Sequence, residues 1–457
     1  MRSTGYPLYL TLGFVWSKIP LGDIGYRMNL LSAIFGALTI FLVERILRRW
    51  RLAGWAKFGA LGLLATSTYF WGLSSVAEVY TLHTAIMAGF ILALLWWSDS
   101  PTPRRMYIVG LMGGLGMSHH AAMVLLIPGG LFYILSTHPK KALKPRSLFA
   151  FSLAALVGLS FYLYLPLRYL ANPAFNYAGI YDAGLNFHPV DLTTLEGLWW
   201  LFSGRVFIGR MMAYNGIGLW HEIQIYLTQL VHAFFDFGIG PGLLGMILLF
   251  RRKWREGGLL ALMFLFNAGF YINYQVLDKD TMYLPTYLIW TLWLAYGLHE
   301  LLEWIKQIDS VHIRARRLRI SSILIITIVL FSMVWNWRLV DLSRDWSTRV
   351  LGEAILQKAE RGAIVYGWWD TVPVIQYLQL VEGMRPDVKA INRFLISQND
   401  LTRSIKKELR NRPIYIDSMI IELSSTMSTR SIGPILQLIP NKCLTMRCSN
   451  TPLQIPR

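Results

Sequence analysis

A chain of 457 residues would ordinarily fold as two or three soluble domains, but 54% of it is apolar and it holds 18 Trp and 22 Tyr. With a positive mean hydropathy, that composition fits a membrane protein better. The net charge of +18 sits in short clusters beside apolar helix ends, which reads as topology signal and anionic-lipid contact and excludes a nucleic-acid partner. Cys443 and Cys448, both near the end of the sequence, supply neither a disulfide framework nor metal-ligand spacing.

Residues 5–20 are apolar but too few to span a bilayer, and no signal-peptide pattern precedes them. An interfacial helix on the outer surface is expected there. Stretches long and apolar enough to span follow near 26–47, 55–73, 80–97, 106–118, 119–136, 147–166, 230–250, 258–276, 283–304 and 320–337. The expected fold class is therefore an α-helical polytopic membrane protein of about ten transmembrane helices, in a plasma (inner) membrane. The pair within Met106–Leu135 is read as two short crossings because basic residues flank both ends, with Gly110–Gly116 allowing close packing and a turn at Ser118-His119-His120.

Five basic clusters (45–57, 104–105, 140–146, 251–255, 306–319) hold 20 Lys and Arg. They alternate with polar knots at Ser74–Tyr80, Ser118–His120, Pro166–Trp220 and Leu277–Tyr283, which hold 4. Basic loops stay in the cytoplasm, so the knots collect on the opposite face. The external loop 166–220 is expected to carry a membrane-hugging helix that starts from a Thr193-x-x-Glu196 capping box.

The membrane domain is assigned to residues 1–337. After Trp337 the pattern turns soluble, and 338–423 reads as a small α/β extracytoplasmic domain with strands at 363–367, 387–391 and 413–417 and helices at 371–381 and 398–410. This order implies a parallel sheet whose strand ends present Trp368, Asp370, Asn392, Arg393 and Asp417, either for binding or as part of a packing module. No structure is assigned to the tail 424–457.

Glu78, at the outer end of a span, is either a general base or a solvated helix-terminal carboxylate. His119 and His120 could hold a phosphate oxygen or shuttle a proton, or simply bond within a turn. Asp278 and Asp280 could coordinate a cation, orient an acceptor hydroxyl or cap the next helix. Arg168 is a phosphate clamp or a snorkelling side chain. No nucleotide-binding, zinc-protease, serine-hydrolase or CxxC motif competes, so the chemistry that fits needs no nucleotide or redox cofactor.

Thr4–Tyr9, Tyr26–Ala33, Glu78–Tyr80, Gly114–His120, Asp280–Tyr287 and Tyr377–Val388 together resemble, in order and spacing, a bacterial membrane family related to the eukaryotic transmembrane protein O-mannosyltransferase, within the C-type glycosyltransferase (GT-C) superfamily. The resemblance implies a hexosyltransferase that moves a sugar from a polyprenyl-phosphate carrier, its lipid-linked donor, to an acceptor hydroxyl on a protein or glycan at the extracytoplasmic face. It implies catalytic roles for Glu78, His119 and Asp280. Carrier or substrate contacts are assigned to Tyr6, Tyr80, His120, Arg168, Asp278, Tyr283 and Asp370; no metal ligand is assigned. In the superfamily the principal acid/base carboxylate lies in the first external loop, after the first transmembrane helix. Here Arg2-Ser3-Thr4 stands where the family has a His-Pro-like run, so that helix and its acidic motif are expected to be missing. The alternatives are a transporter or flippase of lipid-linked sugars and an inactive, truncated scaffold.

Overall fold

The computed structural model describes residues 5–173, 175–276 and 278–440. The chain divides into two compact units: a helical one comprising residues 5–172 and Leu192–Leu342, and a sheet-containing one comprising Pro173–Asp191 and residues 343–440.

The helical unit opens with α1 (Pro7–Trp16), α2 (Ile24–Arg49), α3 (Gly54–Thr66), α4 (Thr68–Ser75), α5 (Tyr80–Asp99) and α6 (Pro103–His119). A 3-10 turn then leads into α7 (Ile127–Thr137), followed by α8 (Pro145–Leu159), α9 (Tyr164–Leu170), α10 (Leu195–Phe202), α11 (Gly216–Ala233), α12 (Ile239–Arg252) and α13 (Trp254–Ile272). A single turn, α14 (Lys279–Met282), precedes α15 (Leu284–Lys306) and α16 (Val311–Val340). By length and composition, α2, α5, the run Pro145–Leu170 and α16 can each cross a membrane.

Burial sorts these helices. Along α5 and α15 nearly every position from Thr81 to Leu95 and from Leu284 to Gly297 is buried, as expected for helices surrounded by others. In α16 the buried positions are Ile325, Val329, Ser332, Asn336 and Val340, three or four apart, so one stripe faces the protein and the rest can face lipid.

The stretch 55–73, expected as one span, is broken at Ser67, whose ψ of 142° is extended. An unpaired carbonyl in hydrocarbon is costly, and α16 satisfies this one. Asn336 Nδ2 donates to the Thr66 carbonyl at 2.8 Å, while Thr68 Oγ1 donates to Asn336 Oδ1 at 3.1 Å. The stretch 230–250 is also not one helix. Pro241 has no N–H for an uninterrupted helix and its ring would strike the carbonyl four residues back, so α11 stops at Ala233 and α12 restarts at Ile239.

The glycines of α6 pack it against α8. A Cβ at Gly110 would lie 2.3 Å from the Phe151 carbonyl oxygen, and one at Gly114 would lie 2.3 Å from that of Ala155. The helix runs through His119 and turns at His120, one residue later than expected. Helix α1 does not simply lie on a surface, because Pro7, Leu8, Tyr9 and Gly13 are buried. The cap of α10 is Thr194, whose Oγ1 accepts from Gly197 N at 3.1 Å, rather than Thr193, which leaves Glu196 in the first turn where its charge suits the helix dipole.

The basic clusters gather at one end. Arg49 pairs with Asp99, Lys57 with Glu44 at 3.1 Å and Arg252 with Glu300 at 2.6 Å, while Ala53 N donates to His299 Nδ1 at 3.2 Å.

The second unit contains the hairpin β1 (Gly179–Tyr181) and β2 (Phe187–Pro189), then α17 (Ser347–Lys358), β3 (Ile364–Gly367), α18 (Val372–Glu382), β4 (Lys389–Asn392), α19 (Gln398–Glu408), β5 (Ile414–Ile416), β6 (Met427–Ile432) and β7 (Ile435–Pro440). The sheet order is β4-β3-β5-β7-β6, with the first three strands parallel and β7 and β6 antiparallel. Ile364 pairs with Lys389 on one side and Ile414 on the other. The β6–β7 hairpin occupies part of the tail 424–457, where the sequence pattern implies no structure; Cys443 and Cys448 lie outside the described residues.

Segment 173–191, expected within an external loop, belongs to this unit. Tyr181 bridges Ile396, Leu185 joins the core with Ile364 and Ile391, and Lys389 Nζ donates to the Leu185 carbonyl at 3.3 Å. Residues 173–191 and 343–440 therefore lie on one side of any membrane, so the chain between them makes an even number of crossings.

Candidate functional site

The polar knots of the helical unit meet around three imidazoles. His83 comes from α5, whose start is set where Val79 gives way to Tyr80. His119 ends α6 and His120 caps the 3-10 turn that follows, its Nδ1 accepting from Ala122 N at 3.0 Å. Ring centroids of His83 lie 6.0 Å from His119 and 5.2 Å from His120. Tyr6 completes the group at 5.1 Å from His120, with its hydroxyl 3.5 Å from His120 Nε2.

Hydrogen bonds fix the tautomers of two rings. His119 Nε2 lies 2.9 Å from the Val79 carbonyl, which can only accept, so Nε2 carries the proton and Nδ1 is the acceptor. His120 Nδ1 already accepts, so its proton is on Nε2. His119 Nδ1 and both nitrogens of His83 are buried without a hydrogen-bond partner. Such buried polar capacity is unusual in a native structure and calls for an explanation. His83 was not singled out from the sequence; the available signal was an ionisable side chain inside an apolar span, which marks function by default.

Glu78 is half-buried on the loop between α4 and α5. Ser32 of α2 pins that loop, with its Oγ 3.2 Å from Glu78 N and 3.3 Å from Glu78 O. The carboxylate accepts from Val79 N at 3.3 Å. Tyr80 lies within electrostatic reach of Tyr6, Asp278 and Glu78, which brings this loop near α14.

In α14, Asp278 is exposed and its side chain makes no capping bond, so of the readings offered for it helix capping is set aside. Asp280 is half-buried and within electrostatic reach of Tyr69, Tyr283 and Tyr287. Between them Lys279 is buried, paired with Glu222 of α11, its ammonium 4.7 Å from the Tyr214 ring centroid. Neither Lys279 nor Glu222 was selected from the sequence, and nothing local distinguishes the pair because its members are 57 residues apart. Tyr283 is fully buried against Tyr226, with ring centroids 4.6 Å apart; it is a core residue rather than an open contact surface.

Arg168 is exposed on α9, and no hydrogen bond or ion pair described for it ties it to this cluster. The cation brought near instead is Arg210. Its carbonyl accepts from Gln275 N at 2.9 Å, Met211 bridges Tyr274, and the guanidinium is within electrostatic reach of Tyr274, which also senses Tyr6 and Asp278. Asp370 belongs to the sheet-containing unit, where it is exposed and accepts from Thr371 Oγ1 at 3.3 Å. Among the described residues no group of three or more His, Cys, Asp or Glu side chains is placed to hold a metal ion.

Residues 1–143 match the family model of the protein O-mannosyl-transferase TMEM260 N-terminal domain. The mouse protein O-mannosyl-transferase TMEM260 is 29% identical over 206 residues, which are 42% of this chain and 27% of that protein. The chain thus spans about a quarter of the length of that relative. ArnT from Cupriavidus metallidurans bound to undecaprenyl phosphate superposes with a TM-score of 0.58 at 12% identity, over 96% of this chain and 88% of that one. Its apo state gives 0.58 at 14% identity with the same coverage. At these identities the likeness concerns the fold alone, which is that of ArnT.

Proposed function

We propose that this chain, built on the ArnT-like fold and similar at its N-terminal end to the TMEM260 mannosyltransferase, is a membrane glycosyltransferase that takes a sugar from a polyprenyl-phosphate carrier and delivers it to a hydroxyl of a protein or glycan acceptor. The observation that carries the reading is the meeting of Tyr6, Glu78, Tyr80, His119, His120 and Asp278 at one end of the helical unit. A lipid-linked phosphate presents its headgroup at such an end. The ArnT structure holds undecaprenyl phosphate on the same fold, which supports a carrier of this class.

The opposite end carries the basic clusters, so the working end is assigned to the extracytoplasmic face. The sheet-containing unit is assigned to that face too.

In the proposed reaction a carboxylate, Glu78 or Asp280, takes the proton of the acceptor hydroxyl as its oxygen bonds the anomeric carbon. The bond from that carbon to the phosphate oxygen breaks, and the electron pair leaves with the carrier phosphate. His120 Nε2–H and the Arg210 guanidinium are assigned to the charge that develops there.

The test is reconstitution in liposomes with a radiolabelled polyprenyl-phosphate hexose. Label should move to an acceptor, and Glu78→Gln should lower transfer at least about a hundredfold while leaving carrier binding intact. Carrier that moves between leaflets with its sugar still attached would establish the flippase reading in its place.

A further inference from the structure

We infer that the carboxyl ends of β3, β4 and β5 form a separate binding site for a neutral saccharide. In a parallel sheet ordered β4-β3-β5, the chain leaves β3 toward β4 and then returns to the other side of β3. The crevice beyond β3 and β5 is the switch point where open α/β sheets bind ligands.

Trp368 and Trp369 follow β3 directly and remain 39% and 37% exposed. The Trp369 ring is fixed by Tyr177 at 5.2 Å and Phe394 at 5.7 Å between centroids. Tyr177 is itself hydrogen-bonded to Gln376. One face of Trp368 carries the Arg393 guanidinium, 4.9 Å from the centroid. Asp417 accepts from Trp368 N at 2.6 Å and from Arg393 at 3.1 Å, and Arg393 also donates to Ser418 Oγ at 2.8 Å. Gly367 permits this closeness, since a Cβ there would lie 3.1 Å from Asp417 Oδ2. Asn392 Nδ2 and Arg393 Nε are buried without a hydrogen-bond partner, a feature that calls for an explanation in a native structure.

Held indoles beside an exposed carboxylate, Asp370, and the exposed hydroxyl of Ser418 match a pyranose. Such a ring offers a C–H face to an aromatic surface and a rim of hydroxyls that both donate and accept. Charge argues against an anion: Arg393 is matched by Asp417, leaving Asp370 uncompensated. A peptide added as a strand would use a sheet edge, whereas these groups lie at the strand ends. The site does not depend on the transfer reaction proposed above.

The experiment uses the whole chain in lipid nanodiscs free of glycoside detergent, titrated with mannotriose and cellotriose by calorimetry. Hydrogen exchange is followed at residues 367–371 and 416–418. A neutral trisaccharide should bind and slow exchange there. Trp368→Ala and Trp369→Ala should each weaken binding about tenfold, and Asp370→Asn should weaken it severalfold; Trp199→Ala, in α10, should leave it unchanged. Exchange in β3 and β5 without ligand reports whether each variant is folded, and Trp369→Phe keeps a stacking face if alanine is not tolerated. Absence of binding, equal binding by folded tryptophan variants, or binding only of a serine-containing peptide or a glucuronate oligomer would overturn the assignment. Carrier binding should be the same in all these variants, which separates failure of this site from failure of the transferase reading.

Discussion

His119 donates through Nε2 to the carbonyl of Val79, 2.9 Å away and 40 residues earlier in the chain, and so ties the end of α6 to the loop that carries Glu78. The bond orients the ring and locks its tautomer while holding the Glu78 loop from one side; Ser32 holds it from the other. His119→Ala should therefore leave the Val79 carbonyl with His83 N as its remaining donor and lower stability by about 0.5–1.5 kcal/mol. Thermal unfolding in detergent checks this, and carrier affinity should fall with it.

His83 invites the opposite outcome. Its ring nitrogens have no hydrogen-bond partner, so His83→Phe removes a polar group that contributes nothing to folding. The variant should melt at or above the parent temperature. If those nitrogens face the carrier phosphate, undecaprenyl phosphate should bind at least about tenfold more weakly, as native mass spectrometry would show.

The buried Lys279–Glu222 pair behaves as a unit. Lys279→Met alone leaves a desolvated carboxylate and should cost about 3–5 kcal/mol. Adding Glu222→Leu should recover most of the loss, so a double-mutant cycle by chemical denaturation should give a coupling well beyond experimental scatter.

At the contact of α6 with α8, Gly114→Leu would force a side chain onto the Ala155 carbonyl, which an added Cβ alone would approach to 2.3 Å. No rotamer relieves a backbone clash, so the helices must separate. The variant should be recovered in low yield and aggregate on size-exclusion chromatography, whereas Gly54→Ala, where a Cβ meets nothing within 4 Å, should behave as the parent.

Acid should weaken the sheet-containing unit through two carboxylates. Hydrogen bonds from His188, with Asn186 adding to them, hold Asp182 well below the usual carboxylate range; Arg385, with Gly362 N, does the same for Asp387. A carboxylate depressed in the folded state stabilises fully above its unfolded value of about 3.9 and loses that contribution as pH falls toward the lower folded value. Exchange protection in β3 and β4 should stay level from neutrality to about pH 5 and decline below about pH 4. Asp387→Asn should shallow the decline.

Hydropathy locates the helices, because each buries or exposes a long apolar run whatever its neighbours are. It does not reveal the break at Ser67, since the residue that satisfies the freed carbonyl is Asn336, 270 positions away. The same limit hides Lys279 with Glu222, and it makes Arg168 look better placed than Arg210, whose position depends on a bridge between Met211 and Tyr274. The strands β3, β4 and β5 are legible as short β-branched runs between turn residues. The hairpin β6–β7 was within reach as well: Gly433, with a φ of 65°, precedes Pro434, a turn signal between two alternating segments. His83 is legible in kind, as an imidazole in the first turn of an apolar span.

The packing of the hairpin within residues 173–191 against a sheet built only from the chain beyond Ser343 sets an order of events during synthesis. At about 5–20 residues per second the first segment waits on the order of ten seconds for its partners. Through that interval Tyr181 and Leu185 have no core to enter, while α10 to α16 are still being made. A chain that ends before β3 therefore has α1 to α16 complete and its hairpin uncovered, a form that quality-control proteases can recognise.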